Sequence, residues 1–249
     1  MPIRVALTAL LVLCAAGSSF AQVPPETTHV ELNLNLWSPK EPGIVIEGVD
    51  FATPLELETT RFRDFRIRAG GAHRFRFSYI PVKYDDTGKV IDTTVTFQGV
   101  TYPVNVPVNY EFKWDLYRVG YEWDFARFNY GFIGLVTELK YNKVSAFILS
   151  PAGSATLEEV KAPIPTIGGI ARGYLGDYLS VTGEFTALKL DREEFRGKFY
   201  DFDLYGQLNF TKNLAAQFGY RSLDVDYLVD GDAGVLKLKG TYFGGTLRF

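Results

Sequence analysis

Alternating apolar and polar residues dominate the pattern of this chain. In residues 29–36 one face of an extended chain carries a valine and three leucines, and the other carries a histidine, a glutamate and two asparagines. Residues 65–69, 74–79 and 200–210 repeat the arrangement. Because successive side chains of a β-strand point to opposite faces, this pattern predicts strands with one apolar and one polar face.

The connections between these segments are alternately short and long. Short ones are expected at Gly70-Gly71, Ala126-Arg127, Gly176-Asp177 and residues 211–213, and long ones at residues 38–56, 85–105, 150–163, 191–196 and 230–233. The segments between them number ten, and merging or losing a hairpin would give eight or twelve. Tight turns on one rim and larger loops on the other are typical of barrels that cross a membrane. The sequence therefore predicts an all-β, antiparallel, up-and-down transmembrane β-barrel with its tight turns in the periplasm.

Two places interrupt the alternation. Apolar residues move from even to odd positions around Leu116 and Tyr117, and the phase changes again between Tyr220 and Leu223. At each place we expect either a β-bulge or the level at which the strand leaves the bilayer and its exposure reverses. Many strands exceed the roughly 9 to 11 residues that cross a bilayer, so their outer ends should project as an extramembrane rim. The β-prone residues 93–97 and 100–102 favour a further hairpin there.

The first residues have the organisation of a secretory signal peptide. Arg4 precedes an apolar run over residues 5–16, and small residues then offer a cleavage site before Gln22. The run is well below the roughly 20 residues of a transmembrane helix. We therefore expect residues 1–21 to be removed and residues 22–249 to form the barrel.

Composition excludes several classes of function. The only cysteine, Cys14, would leave with the signal peptide, so the mature chain would have no disulfide, cysteine metal site or thiol nucleophile. Acidic residues outnumber basic ones by 29 to 26, so no nucleic-acid partner is indicated.

The carboxy terminus supplies a more specific signal. Tyr242, Gly244, Leu247 and Phe249 occupy the positions at which the final strand of a bacterial outer-membrane β-barrel carries a tyrosine or polar residue, a glycine, an apolar residue and a terminal aromatic. In these residues the chain resembles that superfamily, although no narrower family is indicated. The resemblance implies insertion by the barrel-assembly machinery, closure of this strand against the first, and a location among the lipids of a Gram-negative outer membrane. It implies no cargo, and any extracellular partner is unknown.

Charged residues recur on the predicted inner face. They are Glu31, Arg66, Arg68, Arg74, Arg76, Glu122, Glu138, Glu184, Asp201 and Asp203. A ten-stranded barrel has little internal space, so acids and bases in similar number would fill it as a paired polar core. The alternative is a basic ladder that guides an anionic solute, as charged rings do in selective pores.

Little in the chain indicates catalysis. Its two histidines, His29 and His73, lie near the tight-turn rim of the predicted barrel. Outer-membrane hydrolases and lipid-modifying barrels, in which a histidine usually serves as general base, have their sites at the outer leaflet instead. We interpret both histidines as rim or lumen side chains that bond to their neighbours. The acidic residues between 224 and 232 match no calcium loop. No catalytic residue, metal site or cofactor is therefore predicted.

Three functions remain open on this basis. The first is a non-enzymatic integral outer-membrane protein, structural or a narrow-specificity conduit, with a polar lumen largely filled by side chains. The second is an outer-leaflet barrel enzyme that modifies lipid or peptide, against which the histidine positions argue. The third is a secreted soluble barrel that binds an apolar ligand, in which apolar faces would converge inward.

Overall fold

The computed structural model describes most of the chain after the predicted signal peptide. The described residues are 29–46, 49–50, 60–92, 94–97, 100–151, 153–176, 178–191, 195–229 and 232–249. The signal peptide over residues 1–21 lies outside these ranges, and its removal stays a prediction. Within the described residues, no helix has the length and hydrophobicity required to cross a membrane.

Thirteen strands account for nearly all of the described residues. They are β1 (Val30–Ile46), β2 (Val49–Asp50), β3 (Phe62–Gly70), β4 (His73–Val90), β5 (Val95–Phe97), β6 (Val100–Tyr102), β7 (Pro107–Phe128), β8 (Gly131–Ser150), β9 (Gly153–Tyr174), β10 (Leu179–Asp191), β11 (Phe195–Asn209), β12 (Leu214–Val229) and β13 (Asp232–Arg248). The barrel wall consists of the ten strands other than β2, β5 and β6. Each of the ten pairs antiparallel with the next of them along the chain, and β13 closes on β1. The predicted ten-stranded antiparallel barrel is therefore confirmed.

The two ends of this barrel differ. We call the end that holds the connections near residues 71, 129, 177 and 211 the turn end, and the opposite end the loop end. Both described termini lie at the turn end, where the backbone amides of His29 and Val30 donate to the carbonyl of Phe249 at 2.8 and 3.2 Å. Even strand number brings both termini to one end.

Several predicted connections are in fact strand. The second tight turn lies at Asn129-Tyr130, because β7 continues through Ala126 and Arg127 to Phe128. Residues 153–163 belong to β9, which forms a close hairpin with β8 from Ser150 onwards. The turn-prone residues of these segments are absorbed by irregular pairing, as between Lys40 and Gly43 or between Asp86 and Lys89, where the register shifts. The strands therefore extend far beyond the predicted loop boundaries.

The two interruptions of the alternation have one explanation. Pairing of β7 with β4 and β8 is continuous through Leu116, and pairing of β12 is continuous from Tyr220 to Leu223, so neither site is a bulge. Side chains at even positions of β7 stay inside as far as Asp124, but they change from apolar, as in Trp114, to charged, as in Glu122. The β7 bulge lies instead between Trp123 and Ala126. Of the two alternatives the bulge is excluded, and the structure shows a reversal of polarity on an unchanged inner face.

The interior is consequently divided in two. Buried polar and charged side chains fill the half near the turn end, and an apolar core fills the half near the loop end. The apolar core includes Trp37, Ile44, Ile80, Phe112, Trp114, Val144, Ile148, Ile164, Phe199, Val225 and Leu236. The predicted polar lumen did not include this apolar half.

Candidate functional site

The polar half of the interior is the candidate site that the sequence indicated. The structure places all ten predicted inner charges, from Glu31 to Asp203, in buried positions. It adds further buried ions that the sequence reasoning missed, namely Asp64, Arg118, Asp124, Lys140, Arg172, Arg221 and Arg248. In total eight carboxylates and nine cations are buried among the described residues. Acids and bases therefore nearly balance.

Strand parity is the signal that could have found the missed ions. Arg118 has the parity of Glu122 in β7, and Lys140 has the parity of Glu138 in β8. Because side chains alternate, residues of equal parity in an unbulged segment share one face. Lys140 and Arg118 lie next to the phase change, where the local pattern assigned the face ambiguously.

Ion pairs in this half cross the lumen. An Nη atom of Arg66 in β3 lies 2.6 Å from the carboxylate of Asp203 in β11, and three other strands separate these two in the sheet. Arg76 in β4 contacts Glu184 in β10 at 2.5 Å, again across three intervening strands. Such pairs require guanidinium and carboxylate groups to meet near the barrel axis. The lumen is therefore filled at this level by its own side chains.

Asp201 is the centre of the layer of this network that lies nearest the apolar core. Its carboxylate lies 2.6 Å from the ammonium of Lys140, 3.0 Å from Arg118 and 2.9 Å from Arg221. Arg221 also contacts Asp64 at 3.2 Å, and this links the layer to β3. A buried charge is tolerated only where it is paired and hydrogen-bonded, as each member here is.

Free volume among these groups is small. A cavity of about 10 Å³ lies beside Arg66, Arg68, Arg118 and Glu138. A volume near this size holds at most about one water molecule. No part of this cavity offers room for an organic solute.

The apolar half is covered at the loop end by a hairpin. Strands β5 and β6 pair through Val95 and Tyr102, and their side chains belong to the same buried cluster as the barrel core. The hydroxyl of Tyr102 donates to the carbonyl of Ile148 at 3.3 Å. The hairpin emerges between β4 and β7 yet contacts β2 on one flank and β9 on the other, so it lies across the opening. A hairpin was predicted here as an extension of the rim, and the structure folds it over the core.

The four residues of the carboxy-terminal signal occupy different environments. Tyr242 is buried, and its hydroxyl donates to Asp203 at 2.7 Å within the polar network. Gly244 faces inward beside Asn35 of β1. Leu247 and Phe249 are exposed on the outer wall. This strand therefore contributes to the lumen, to barrel closure and to the outer surface at once.

Both histidines lie at the turn end. His29 precedes β1 beside Phe249, and His73 opens β4 with its side chain exposed on the outer wall. The ring of His73 stacks between Tyr121 and Trp123, at centroid separations of 5.9 and 6.1 Å, and its Nδ1 bonds the Tyr121 hydroxyl. Among the described residues no group of three or more histidine, cysteine or acidic side chains is arranged to hold a metal ion.

Around the polar half of the interior, the outer face of the barrel wall carries an apolar band. Its exposed members include Leu34, Phe75, Val119, Trp123, Phe125, Leu135, Leu139, Ile167, Phe185, Phe202, Leu208, Phe218, Phe243 and Leu247. In β7 the band runs from Tyr117 to Phe125, roughly 26 Å along the strand at about 3.3 Å per residue, or about 20 Å of height at the usual tilt of about 40°. Transmembrane barrels carry a band about 25 Å tall, flanked by aromatic residues. The stacked rings of Tyr79 and Tyr117, 4.6 Å apart, form part of such a flank.

Above the band, towards the loop end, outward side chains are charged. Glu111 in β7 contacts Lys113 at 2.5 Å and Lys83 of β4 at 3.1 Å. The hydrogen bond from Lys113 lowers the pKa of the Glu111 carboxyl, and bonds to Asp85 and Glu111 raise the pKa of the Lys83 ammonium. These groups are half-exposed, as expected of a surface in water.

Comparisons with known proteins add a likeness to solved barrels. No protein-family model matches this chain, and no curated protein sequence matches it. It is similar to Ail, the attachment invasion locus protein of Yersinia pestis, with 11% identity over 89% of this chain and 99% of that one and a TM-score of 0.38. It is also similar to the Pseudomonas putida toluene transporter TodX, with 8% identity, coverage of 91% and 90% and a TM-score of 0.35. A third is the monoaromatic hydrocarbon channel CymD, with 9% identity, 89% coverage of each chain and a TM-score of 0.36. At these TM-scores the fold assignment rests on the strand pairing itself.

Proposed function

We propose that the protein is a non-enzymatic integral barrel of a Gram-negative outer membrane, sealed to solutes, that carries a folded β-structure beyond the bilayer. The observation that carries this proposal is the paired reversal of polarity. Where the outer wall is apolar the interior is charged, and where the outer wall is charged the interior is apolar. The first combination suits a wall in hydrocarbon, and the second suits a wall in water. The outer wall therefore passes from lipid hydrocarbon into water partway along the strands.

Orientation follows from the connections and the termini. The short connections and both described termini share the turn end, which in bacterial outer-membrane barrels faces the periplasm. The carboxy-terminal signal at Tyr242, Gly244, Leu247 and Phe249 supports insertion by the barrel-assembly machinery. Outer-membrane lipid then surrounds the apolar band, and the loop end lies outside the cell.

Two successive barriers support a sealed interior over a conduit. The cross-lumen pairs Arg66–Asp203 and Arg76–Glu184 occupy the polar half, and the apolar core with Tyr102 above it occupies the other. An ion that enters from the loop end would have to cross the buried apolar side chains of this core. A structural role therefore fits the interior better than transport.

The first experiment tests membrane insertion. The protein, expressed with its signal sequence, should fractionate with outer membranes and migrate differently in detergent gels before and after boiling. A soluble protein without such a shift would contradict the proposal and favour the secreted barrel.

The second experiment tests the seal. We expect no conductance steps from the purified protein in a planar bilayer, and none from a variant in which residues 94–103 are replaced by a glycine-serine linker, since the ionic network still closes the lower half. Solute-dependent steps from the unmodified protein would establish a conduit. Steps from the linker variant alone would show that the hairpin, and not the network, forms the seal.

A further inference from the structure

Lysines face each other repeatedly on the outer wall just above the apolar band. Four pairs are directly opposed across neighbouring strands, namely Lys40 and Lys239, Lys83 and Lys113, Lys143 and Lys161, and Lys189 and Lys198. Like charges directly opposite each other destabilise a sheet. With the apolar band in the hydrocarbon of a bilayer, these pairs lie at the level of the phosphate groups of one lipid leaflet. Asp85 and Glu111 already contact the pair on β4 and β7, whereas Glu159 is the one described carboxylate that contacts the pair on β8 and β9.

The pair on β8 and β9 shares one contacting carboxylate among the described side chains. Glu159 alone bridges it, with 2.9 Å from its carboxylate to the ammonium of Lys143 and 3.1 Å to that of Lys161. Asp115 lies opposite Lys143 on β7, where it adds a weaker attraction to that ammonium and accepts a hydrogen bond from Tyr79 at 2.7 Å. Glu159 is therefore the described carboxylate in contact with both ammonium groups, of which that of Lys161 is the more exposed.

An apolar groove lies directly below this pair on the outer wall. It is shallow and open to the outside, with a volume of about 530 Å³, and it is lined mainly by Val119 and Tyr121 of β7, Thr137 and Leu139 of β8, and Pro165 and Ile167 of β9. In the register of the sheet, the row of Val119, Leu139 and Pro165 is four residues below the row of Lys143 and Lys161, roughly 13 Å along the strands. A lipid that has its phosphate at the lysines would place its acyl chain in this groove.

The sheet itself produces the groove. Pairing of β9 with β10 ends at Ile167 and Ala187, so no described residue pairs with β9 on that side from Pro165 towards the loop end. Pro163 and Pro165 have no backbone N–H to offer a further strand, which suits an unpaired edge. With β10 leaving at this level, the wall is interrupted beside Leu188, which lines the groove as well.

We propose that the groove and the Lys143–Lys161 pair bind one phosphorylated membrane lipid, with an acyl chain against Leu139 and Ile167 and the phosphate between the two ammonium groups. The proposal rests on the membrane insertion proposed above. Binding replaces Glu159 as the counter-ion of at least one lysine. The other three lysine pairs provide matched controls of equal charge.

The test compares three ligands: a lipid with a phosphate and acyl chains, a lipid with acyl chains but no phosphate, and phosphate alone. The purified full-length protein in detergent is titrated with dioleoyl phosphatidic acid, with dioleoylglycerol and with inorganic phosphate, and bound ligand is counted by native mass spectrometry. The double variant Lys143→Gln/Lys161→Gln should bind phosphatidic acid about 30-fold more weakly, since each of the two basic groups contributes about fivefold at an anionic lipid surface. Glu159→Gln should bind it more tightly. Thr137→Trp, which fills the groove, should weaken the binding of both phosphatidic acid and dioleoylglycerol. Lys83→Gln/Lys113→Gln should change the binding of neither lipid.

The outcomes separate this site from membrane insertion. All variants should show the heat-dependent gel shift in phosphatidylcholine vesicles, and a wild-type protein that fails to shift would contradict the proposed function instead. If phosphatidic acid binds equally to the wild type and to both lysine double variants, the lipid site is excluded. Equal affinity for inorganic phosphate and phosphatidic acid would also exclude it, because the groove would then contribute nothing.

Discussion

At the scale of single residues, the buried network depends on complete pairing. Asp201 balances cations from β7, β8 and β12, and its removal would leave Lys140 and Arg221 close together where both are fully buried. Breaking a buried pair costs far more than its formation contributes, because the remaining charge cannot be solvated. Exposed pairs such as Glu111 with Lys113 have no such penalty, since water solvates whatever is left.

Replacing Asp201 by alanine should therefore lower the free energy of unfolding by about 3 to 5 kcal/mol. Urea titration of the protein in detergent micelles, followed by the gel shift, measures this. Glu111→Ala is the matched control and should cost less than about 1 kcal/mol. Equal unfolding midpoints for both variants would show that the network is not fully desolvated.

Acidification should remove the contribution of Glu111. Because its folded pKa is lowered, its ion pairs stabilise the protein above the ordinary pKa of a glutamate, and this contribution is lost as the pH falls through the folded value. Wild type and Glu111→Gln should thus differ slightly near about pH 7 and coincide near about pH 2. A difference that persists in acid would indicate that packing of the Glu111 side chain, and not its charge, is responsible.

At the scale of elements, the last strand closes the barrel through a close backbone approach. A Cβ atom on Gly244 would lie 2.2 Å from the carbonyl oxygen of Leu34 and 2.7 Å from the Cα of Asn35, both in β1. At Gly245, which faces outward, the nearest atom would be 4.0 Å away. The glycine of the carboxy-terminal pattern thus has a steric reason to be there, independent of recognition by any machinery.

Gly244→Ala should consequently weaken closure, whereas Gly245→Ala should not. We expect Gly244→Ala to lower stability by about 1 to 3 kcal/mol, the usual cost of an overpacked site. Refolding into vesicles, with the fraction of heat-shifted protein as readout, separates the two. Identical yields would place β1 and β13 further apart than the structure has them.

Phe249 tests the insertion signal separately from closure. Its ring is exposed, and its backbone bonds to β1 do not depend on the side chain. Phe249→Ser should therefore lower the outer-membrane yield in cells while refolding of the purified protein into vesicles stays close to wild type. An unchanged cellular yield would show that the terminal aromatic is dispensable for insertion.

At the scale of the whole molecule, the barrel consists of two parts built on the same strands. One has the organisation of a membrane barrel, with charge inside, and the other has that of a soluble barrel, with hydrocarbon inside. The secreted soluble barrel considered from the sequence describes the second part locally, since apolar faces do converge there. The continuous pairing of β7 and β12 across the boundary joins the two without a break.

The three tryptophans report on this division. Trp37 and Trp114 are fully buried in the apolar core, whereas Trp123 is 44% exposed on the outer wall near the turn end. In vesicles of brominated lipid, Trp123→Phe should abolish most of the quenching of tryptophan fluorescence, and Trp114→Phe should leave the quenched component unchanged. Quenching that survives Trp123→Phe would place the apolar half in the bilayer and reverse the assignment.

The sequence alone determined the strand class, the number of barrel strands and the end at which the termini lie, because alternation and turn residues act locally. It also determined which face of β3 and β4 is charged, since four arginines at equal parity leave no other arrangement. Tertiary structure decided what lies opposite those arginines, where the interior changes from charged to apolar, and that strands β5 and β6 fold over the core. These depend on which distant strands face each other across the lumen, and no local pattern contains that information.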